Sequence, residues 1–299
     1  MLMNKALDSY EWLRIHERLD RTVADAALSY LNKLTLRRIH INTQQLGDEL
    51  DELRLGREPD YNMPGLPLVY ALKYMPRRIV SIFGSLLSVL DGWYPKSVLD
   101  IGSGTGATAI AMDLLNLPRH VSLLGIEPSQ EMILFSECPG WWGRVSTTYR
   151  QGSISDLVNN RASLMTSDLV VLSACFPYGF DNWSPLLTAL GEYKGQDSKM
   201  ILAVKPDAKA DLLTSFQQRL RSRGWPTIAF CCHDLPDVIK DNTLPLPQIT
   251  NVWQRLGMDD SSRPKTWWNT PDDKFLVANP KPVRPAQSIN CCYKTETVF

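Results

Sequence analysis

The chain has 299 residues, 44% of them hydrophobic, with Lys+Arg and Asp+Glu both at 32. That length supports one large domain with a sizeable core, and the balanced charge excludes a global basic field for nucleic acid while leaving room for a local patch. No run of about 20 apolar residues appears, so no membrane span is expected, and the early acids Asp8, Glu11, Glu17 and Asp20 do not suit a signal or transit peptide.

Residues 5 to 40 read as a helix, with Tyr10, Leu13, Leu19, Val23, Tyr30 and Leu34 among the residues at helical spacing. Arg14, Arg18, Arg21, Arg37 and Arg38 are read as a solvated helix face rather than an RNA contact, and His16 and His40 as surface residues. A second helix is expected over 42–57, with Leu46, Leu50 and Leu53 inward. Pro59, Pro64, Gly65 and Pro67 then form a loop. Residues 68–90 resume a helical pattern, with a break or kink expected at Pro76 because the residue before a proline is biased out of the helix. Asp91-Gly92-Trp93-Tyr94-Pro95 reads as a turn into the first strand.

The most informative stretch is Val98-Leu99-Asp100-Ile101-Gly102-Ser103-Gly104-Thr105-Gly106. Its apolar residues make a buried strand, and its glycines permit φ > 0 and close approach of a ligand. Ala107 to Leu117 then has helical spacing. A glycine turn between strand and helix is a ligand site in an open α/β sheet. Gly102, Gly104 and Ala107 satisfy the G-x-G-x-x-G/A spacing of a dinucleotide site, but Asp100 would repel a pyrophosphate. The same carboxylate suits a ligand carrying an ammonium group. Residues 121–127 read as the next strand, and its terminal Glu127 can accept both hydroxyls of a ribose.

A helix follows from Ser129 to Glu137, and Trp141 and Trp142 read as packing in a turn-rich connection. Residues 145–151 suit a third strand, and Asp156 beyond it fits either a binding role or a helix cap. Residues 168–173 are the clearest buried strand, ending at Ser173 and running into Ala174-Cys175-Phe176-Pro177-Tyr178. Cys175 is read as inert rather than nucleophilic. A helix over 182–190, a strand over 199–206 and a helix over 211–223 come next. Strands at 227–232 and 274–279 make a final antiparallel pair. Between them lies a Pro-rich insert, 236–271, with Trp253, Trp267 and Trp268, long enough to form part of a substrate site. The six cysteines contain no C-x-x-C, so no disulfide framework is read and a reducing, cytoplasmic location is expected.

The order strand, D-x-G-x-G, helix, strand and terminal acid resembles the class I S-adenosylmethionine (SAM) methyltransferases. The resemblance implies an α/β fold with a seven-stranded, mostly parallel, Rossmann-like sheet and an N-terminal helical extension. It implies a core over 91–282, a helical extension or lid over 1–90, and a flexible tail over 283–299. SAM would be the cofactor, held by Asp100, Gly102, Ser103, Gly104, Glu127, Pro128 and Ser173, with Asp156 at the adenine amino group. The extension would cover the pocket, with Tyr61, Tyr70, Tyr74 and Arg77 as substrate contacts. Where the acceptor needs deprotonation, Tyr74, Tyr178 and His233 are the candidate bases. Pro177-Tyr178 matches the end of the [N/D]-P-P-[Y/F] motif of amino-methylating relatives, but Cys175-Phe176 replaces its polar residue and first proline.

Residues 61–210 are also similar to the Rsm22-like group tied to the small ribosomal subunit, through Tyr70-Ala71, Met75-Pro76-Arg77, Pro95 to Gly106 and Glu127 to Met132. That group's cysteine cluster has only a faint echo in Cys231-Cys232-His233-Asp234, so no metal site is expected. The expected function is methyl transfer from SAM to a small-molecule or RNA acceptor. The alternatives are a non-catalytic SAM-binding assembly factor for ribosomes or RNA, and a small-molecule or peptide methyltransferase. No membrane partner is expected, and a homo-oligomer stays open.

Overall fold

The computed structural model describes residues 8–55, 57, 59–90, 93–138, 143–159, 167–173, 200–205, 210–231, 244–258 and 274–278. The first helix, α1, is Ser9–Leu36, and a capping box starts it. The Asp8 carboxylate accepts from the Glu11 N–H at 2.7 Å, and the Glu11 carboxylate accepts from the Asp8 N–H at 3.3 Å. Trp12, Leu19, Val23, Ala27, Tyr30 and Leu34 are buried at helical spacing, while Tyr10 and Leu13 face outward. Helix α2 is Thr43–Arg54, capped by Asn42, with Leu46 and Leu50 buried.

Helix α3 is Leu66–Val89 and runs through Pro76, so the expected break is absent. A proline in a helix interior costs about 3 kcal/mol. The neighbours Leu72, Met75, Ile79, Val80 and Phe83 are all buried, and each contributes roughly 1.5–3 kcal/mol. Packing therefore outweighs the lost hydrogen bond. A helix that is apolar around most of its circumference is a core helix.

The remaining described elements begin with strands and helices in alternation. Strand β1 is Ser97–Ile101, α4 Ala107–Leu114, β2 Val121–Glu127, α5 Gln130–Ser136 and β3 Val145–Gln151. Then come α6 Ile154–Asn159, β4 Leu169–Ser173, β5 Met200–Lys205, α7 Ala210–Ser222, β6 Thr227–Cys231, α8 Pro247–Arg255 and β7 Lys274–Ala278. Among the described residues the sheet has seven strands in the order β3-β2-β1-β4-β5-β7-β6. Strands β1 to β5 pair in parallel, and β7 is antiparallel to both β5 and β6. This is a Rossmann-like α/β fold with the mostly parallel, seven-stranded sheet expected from the sequence. The order reverses between β1 and β4, which places the ligand crevice of an open α/β sheet at their carboxyl ends.

One face of the sheet carries the core shared with the N-terminal helices. Val98, Leu123, Val145, Leu169 and Val171 pack there with residues of α1, α3, α4 and α8. The alternate residues Leu99, Ile101, Val170 and Leu172 are equally buried and point to the opposite face. Helix α1 is tied to the rest by polar contacts as well. The Tyr30 hydroxyl donates to the Glu131 carboxylate at 2.6 Å, and Arg18 pairs with Asp113.

Helix α8, inside the Pro-rich insert, packs on α1, and its Trp253 is fully buried. Leu246 at its start offers no capping side chain. The cap comes from α1 instead. Asp20 accepts from the backbone N–H groups of Gln248 and Ile249 at 2.9 and 3.1 Å. His16 lies one turn before Asp20 and hydrogen-bonds the Leu244 backbone. It is buried, not on the surface as expected, because a segment more than 200 positions away covers it. His40 is exposed. Among the described residues no helix is long and apolar enough to cross a membrane, and no group of three His, Cys, Asp or Glu could hold a metal ion.

Candidate functional site

The glycine turn sits at the carboxyl end of β1, beside the point where strand order reverses. Two backbone bonds latch it to the neighbouring strand. The Gly102 and Ser103 N–H groups donate to the Ile126 carbonyl at 2.8 and 3.2 Å. Gly104 and Gly106 have φ of 52° and 86°, left-handed values that other residues adopt only with strain. Gly104 has open space where a side chain would stand, so its conformation alone calls for glycine. Gly106 starts α4 with no side-chain cap, leaving the first N–H groups of that helix available to a ligand.

Glu127 ends β2 and closes the turn from the other side. One carboxylate oxygen accepts from the Gly104 N–H at 2.8 Å and the other from the Ser129 N–H at 3.1 Å. Burial raises its pKa, and those two N–H groups and the Arg78 guanidinium oppose the rise. Ser129 caps α5 and donates its hydroxyl to the Tyr61 carbonyl at 2.6 Å. The loop before α3 is thereby fastened to the end of β2. Pro128 is exposed, and its carbonyl accepts from Gln151 at 3.1 Å.

Asp100 is 1% exposed and faces the helices of the N-terminal side. Burial is the main cause that pushes its pKa up to about 7, with the nearby Glu127 charge adding to it and a hydrogen bond from Thr108 on α4 opposing it. Its Oδ1 atom has no hydrogen-bond partner, and neither does the buried Ser103 hydroxyl. The unpaired, buried carboxylate oxygen of Asp100 suits a cationic group, while the uncapped start of α4 beside it suits an acceptor such as a carboxylate. The residues present therefore fit the ammonium end of SAM.

Tyr70 and Tyr74 of α3 pack with ring centroids 5.4 Å apart and ring planes tilted by 50°, and Tyr61 meets Tyr70 edge-on at 6.4 Å. The Arg78 guanidinium lies over the Tyr70 ring at 5.1 Å. The charges of Arg78 and Glu127 both act on the buried Tyr70 hydroxyl, so this aromatic cluster borders the acid end of β2. Tyr74 is half-buried, one ring further from Glu127. Ser173 is buried at the carboxyl end of β4, on the crevice.

Asp156 is exposed at the start of α6 and accepts from the Ser153 N–H and hydroxyl at 2.7 and 2.8 Å. Those bonds lower its pKa. Ser153, not Asp156, is the cap of α6: its hydroxyl accepts from the Asp156 N–H at 3.4 Å, and Asp156 answers as the capping-box partner inside the helix. Tyr178 and His233 lie outside the described residues, as do Cys175, Trp141 and Trp142.

Thr108, Arg78 and Tyr149 border the site without having been singled out by the sequence. A signal for Tyr149 exists in hindsight. Val145, Thr147 and Tyr149 share one face of β3, and Gly125 of β2 leaves a gap on that same face.

No family model matches the chain, and a search of curated proteins finds no match either. Solved structures do resemble it. The precorrin-6y C5,15-methyltransferase from Geobacter metallireducens GS-15 aligns at 12% identity and a TM-score of 0.42, over 66% of this chain and 86% of that one. The plantazolicin methyltransferase BpumL, in complex with a monoazolic desmethylPZN analog and SAH, aligns at 14% identity and a TM-score of 0.44, over 89% and 98%. The methyltransferase domain of bacterial CtHen1 aligns at 11% identity and a TM-score of 0.41, over 66% and 97%.

Proposed function

We propose that this chain is a SAM-dependent methyltransferase. The observation that carries the reading is the glycine turn at the strand-order reversal, closed by Glu127 and floored by the buried, incompletely paired carboxylate of Asp100. When bound, SAM supplies an electrophilic methyl group on a sulfonium. Gly102, Ser103 and Gly104 form the turn against which SAM would lie; their N–H groups are held by Ile126 and Glu127, and Gly104 leaves open space beside the turn. Asp100 holds a positively charged group in a buried setting where such pairing is strong. Glu127 has remaining lone pairs for ribose hydroxyls. Pro128 and Ser173 border the pocket, and Asp156 adds an exposed contact to the adenine amino group. Catalysis rests on positioning the acceptor in line with the methyl group. Tyr74, Tyr178 and His233 are the residues proposed to take a proton where the acceptor must lose one.

Calorimetric titration with SAM and its demethylated product SAH, on wild type and Asp100→Ala, tests the reading. Micromolar binding to the wild type, lost in the variant, is the expected result. It would justify a methyl-transfer screen against RNA, including the small ribosomal subunit RNA that the Rsm22-like resemblance suggests, and against small molecules and peptides. A wild type that binds neither ligand would sink the proposal.

A further inference from the structure

Asp100, Gly125 and Tyr149 stand in one row across β1, β2 and β3, in register and on one face of the sheet. Neighbouring strands are about 4.8 Å apart, so the outer two backbones are roughly 10 Å apart. Gly125 has no side chain to fill the span, and the Tyr149 ring lies across it. A Cβ on Gly125 would come within 2.4 Å of Tyr149 Cδ1 and 2.8 Å of Ser103 Oγ. The Tyr149 hydroxyl ends beneath Gly106, 2.9 Å from where a Cβ there would stand. Three oxygen atoms thus belong to this row or to the turn beside it: Asp100 Oδ1, Ser103 Oγ and Tyr149 OH, with the Asp100 charge acting on the Tyr149 hydroxyl. All three are buried, and none has a hydrogen-bond partner.

Orphaned buried polar groups each cost about 1–3 kcal/mol, and three around one spot are not three separate accidents. A buried water typically makes about three such bonds. We infer that Tyr149 is a positioning residue for the cofactor turn: together with Ser103 it holds one buried water against Asp100, beneath Gly102–Gly106. The water donates to Asp100 Oδ1 and accepts from the Tyr149 hydroxyl, while Ser103 shares its remaining donor. This arrangement favours the ionised carboxylate and fixes its orientation toward the cofactor's ammonium group. The other groups facing Asp100 are Thr108 on α4, Glu127 on β2 with Arg78 of α3 beyond it, and the apolar Val171 on β4. None of them is a hydroxyl donor that would hold the water in place of Tyr149. The cofactor part of the inference rests on the SAM reading; the water site does not.

Tyr149→Phe keeps the ring over Gly125 and removes only the hydroxyl. The first readout needs no cofactor: the carboxyl ¹³C titration of Asp100 in the free protein. Its midpoint is expected to rise by about half a pH unit or more in Tyr149→Phe, because the water that donates to the charged form loses the donor that holds it in place. The second is calorimetry with SAM at pH 7, where affinity should fall roughly five- to tenfold. A packing role alone would move neither. An Asp100 midpoint identical to wild type overturns the inference, whatever the cofactor result. A shifted midpoint in a protein that binds no SAM keeps the water site and discards the cofactor reading. If Tyr149→Phe does not fold, Ser103→Ala carries the same test, with an upward shift expected and an unmoved midpoint overturning the proposal.

Discussion

Two buried aspartates invite comparison. Asp20 on α1 and Asp100 at the end of β1 are both nearly inaccessible, and burial raises the pKa of each. At Asp20 both carboxylate oxygens meet backbone N–H groups of α8. At Asp100 one oxygen has no partner. The satisfied carboxylate ties two segments of chain together. The other keeps an oxygen that no protein group meets and is open to water or a ligand. A buried carboxylate is therefore best judged by what its lone pairs meet, not by its depth.

The sharpest way to break this contrast is Asp100→Asn. Removing the charge should weaken SAM binding by about 10- to 100-fold, the worth of a bond to a charged group. The same change should leave the melting temperature of the free protein unchanged or higher at pH 7. Calorimetry and a thermal melt check the two halves. The pH dependence follows from the same group. Its folded pKa of about 7 lies above the unfolded value of 3.8. The folded state therefore holds the proton more tightly, and Asp100 makes stability fall as pH rises from about 4 to 7. Binding of a cationic ligand favours the ionised form. SAM affinity should rise with pH up to about 7 and then level off, with proton release on binding below that. Affinity flat across pH 5 to 8 would contradict the assignment.

Asp20→Ala should do the reverse. It leaves two N–H groups at the start of α8 unsatisfied, a loss of about 1–3 kcal/mol in a urea unfolding titration. SAM affinity should stay within about twofold of wild type, a change below roughly 0.5 kcal/mol. A large drop in affinity without a stability change would mean that α8 belongs to the cofactor site.

Gly125→Ala tests the floor of the turn with a smaller expected effect. The new methyl would force the Tyr149 ring aside, at about 1–3 kcal/mol for an overpacked core position. In Gly125→Ala/Tyr149→Ala the clash is gone, so the double variant should lose less stability than the two single losses added. Additive losses in the unfolding titration would show that the two residues do not touch.

Much of the fold was legible because its signals are local. The strands of the sheet appear as short apolar runs, and the turn of Gly102, Gly104 and Gly106 needs backbone angles that glycine supplies. Asp100 and Glu127 could be picked out because each stands at a strand end, a position that pattern reveals. Pro76 misled because a rule about local preference was outweighed by the burial of Leu72, Met75, Ile79, Val80 and Phe83, which no short window contains. His16 misled for a related reason. Its cover comes from the segment around Leu244.

By itself, then, the sequence determined which segments are strands and helices, where the chain must turn on glycine, and which carboxylates stand at the ends of β1 and β2. Only the tertiary structure decided which of those carboxylates keep an unpaired oxygen, that Asp20 caps α8, and that Tyr149 reaches under the turn across Gly125. Backbone preference and hydrophobic period act over a few residues and are written along the chain. Hydrogen-bond satisfaction depends on register between strands and on helices brought together from opposite ends of the sequence, so it exists only once the chain has folded.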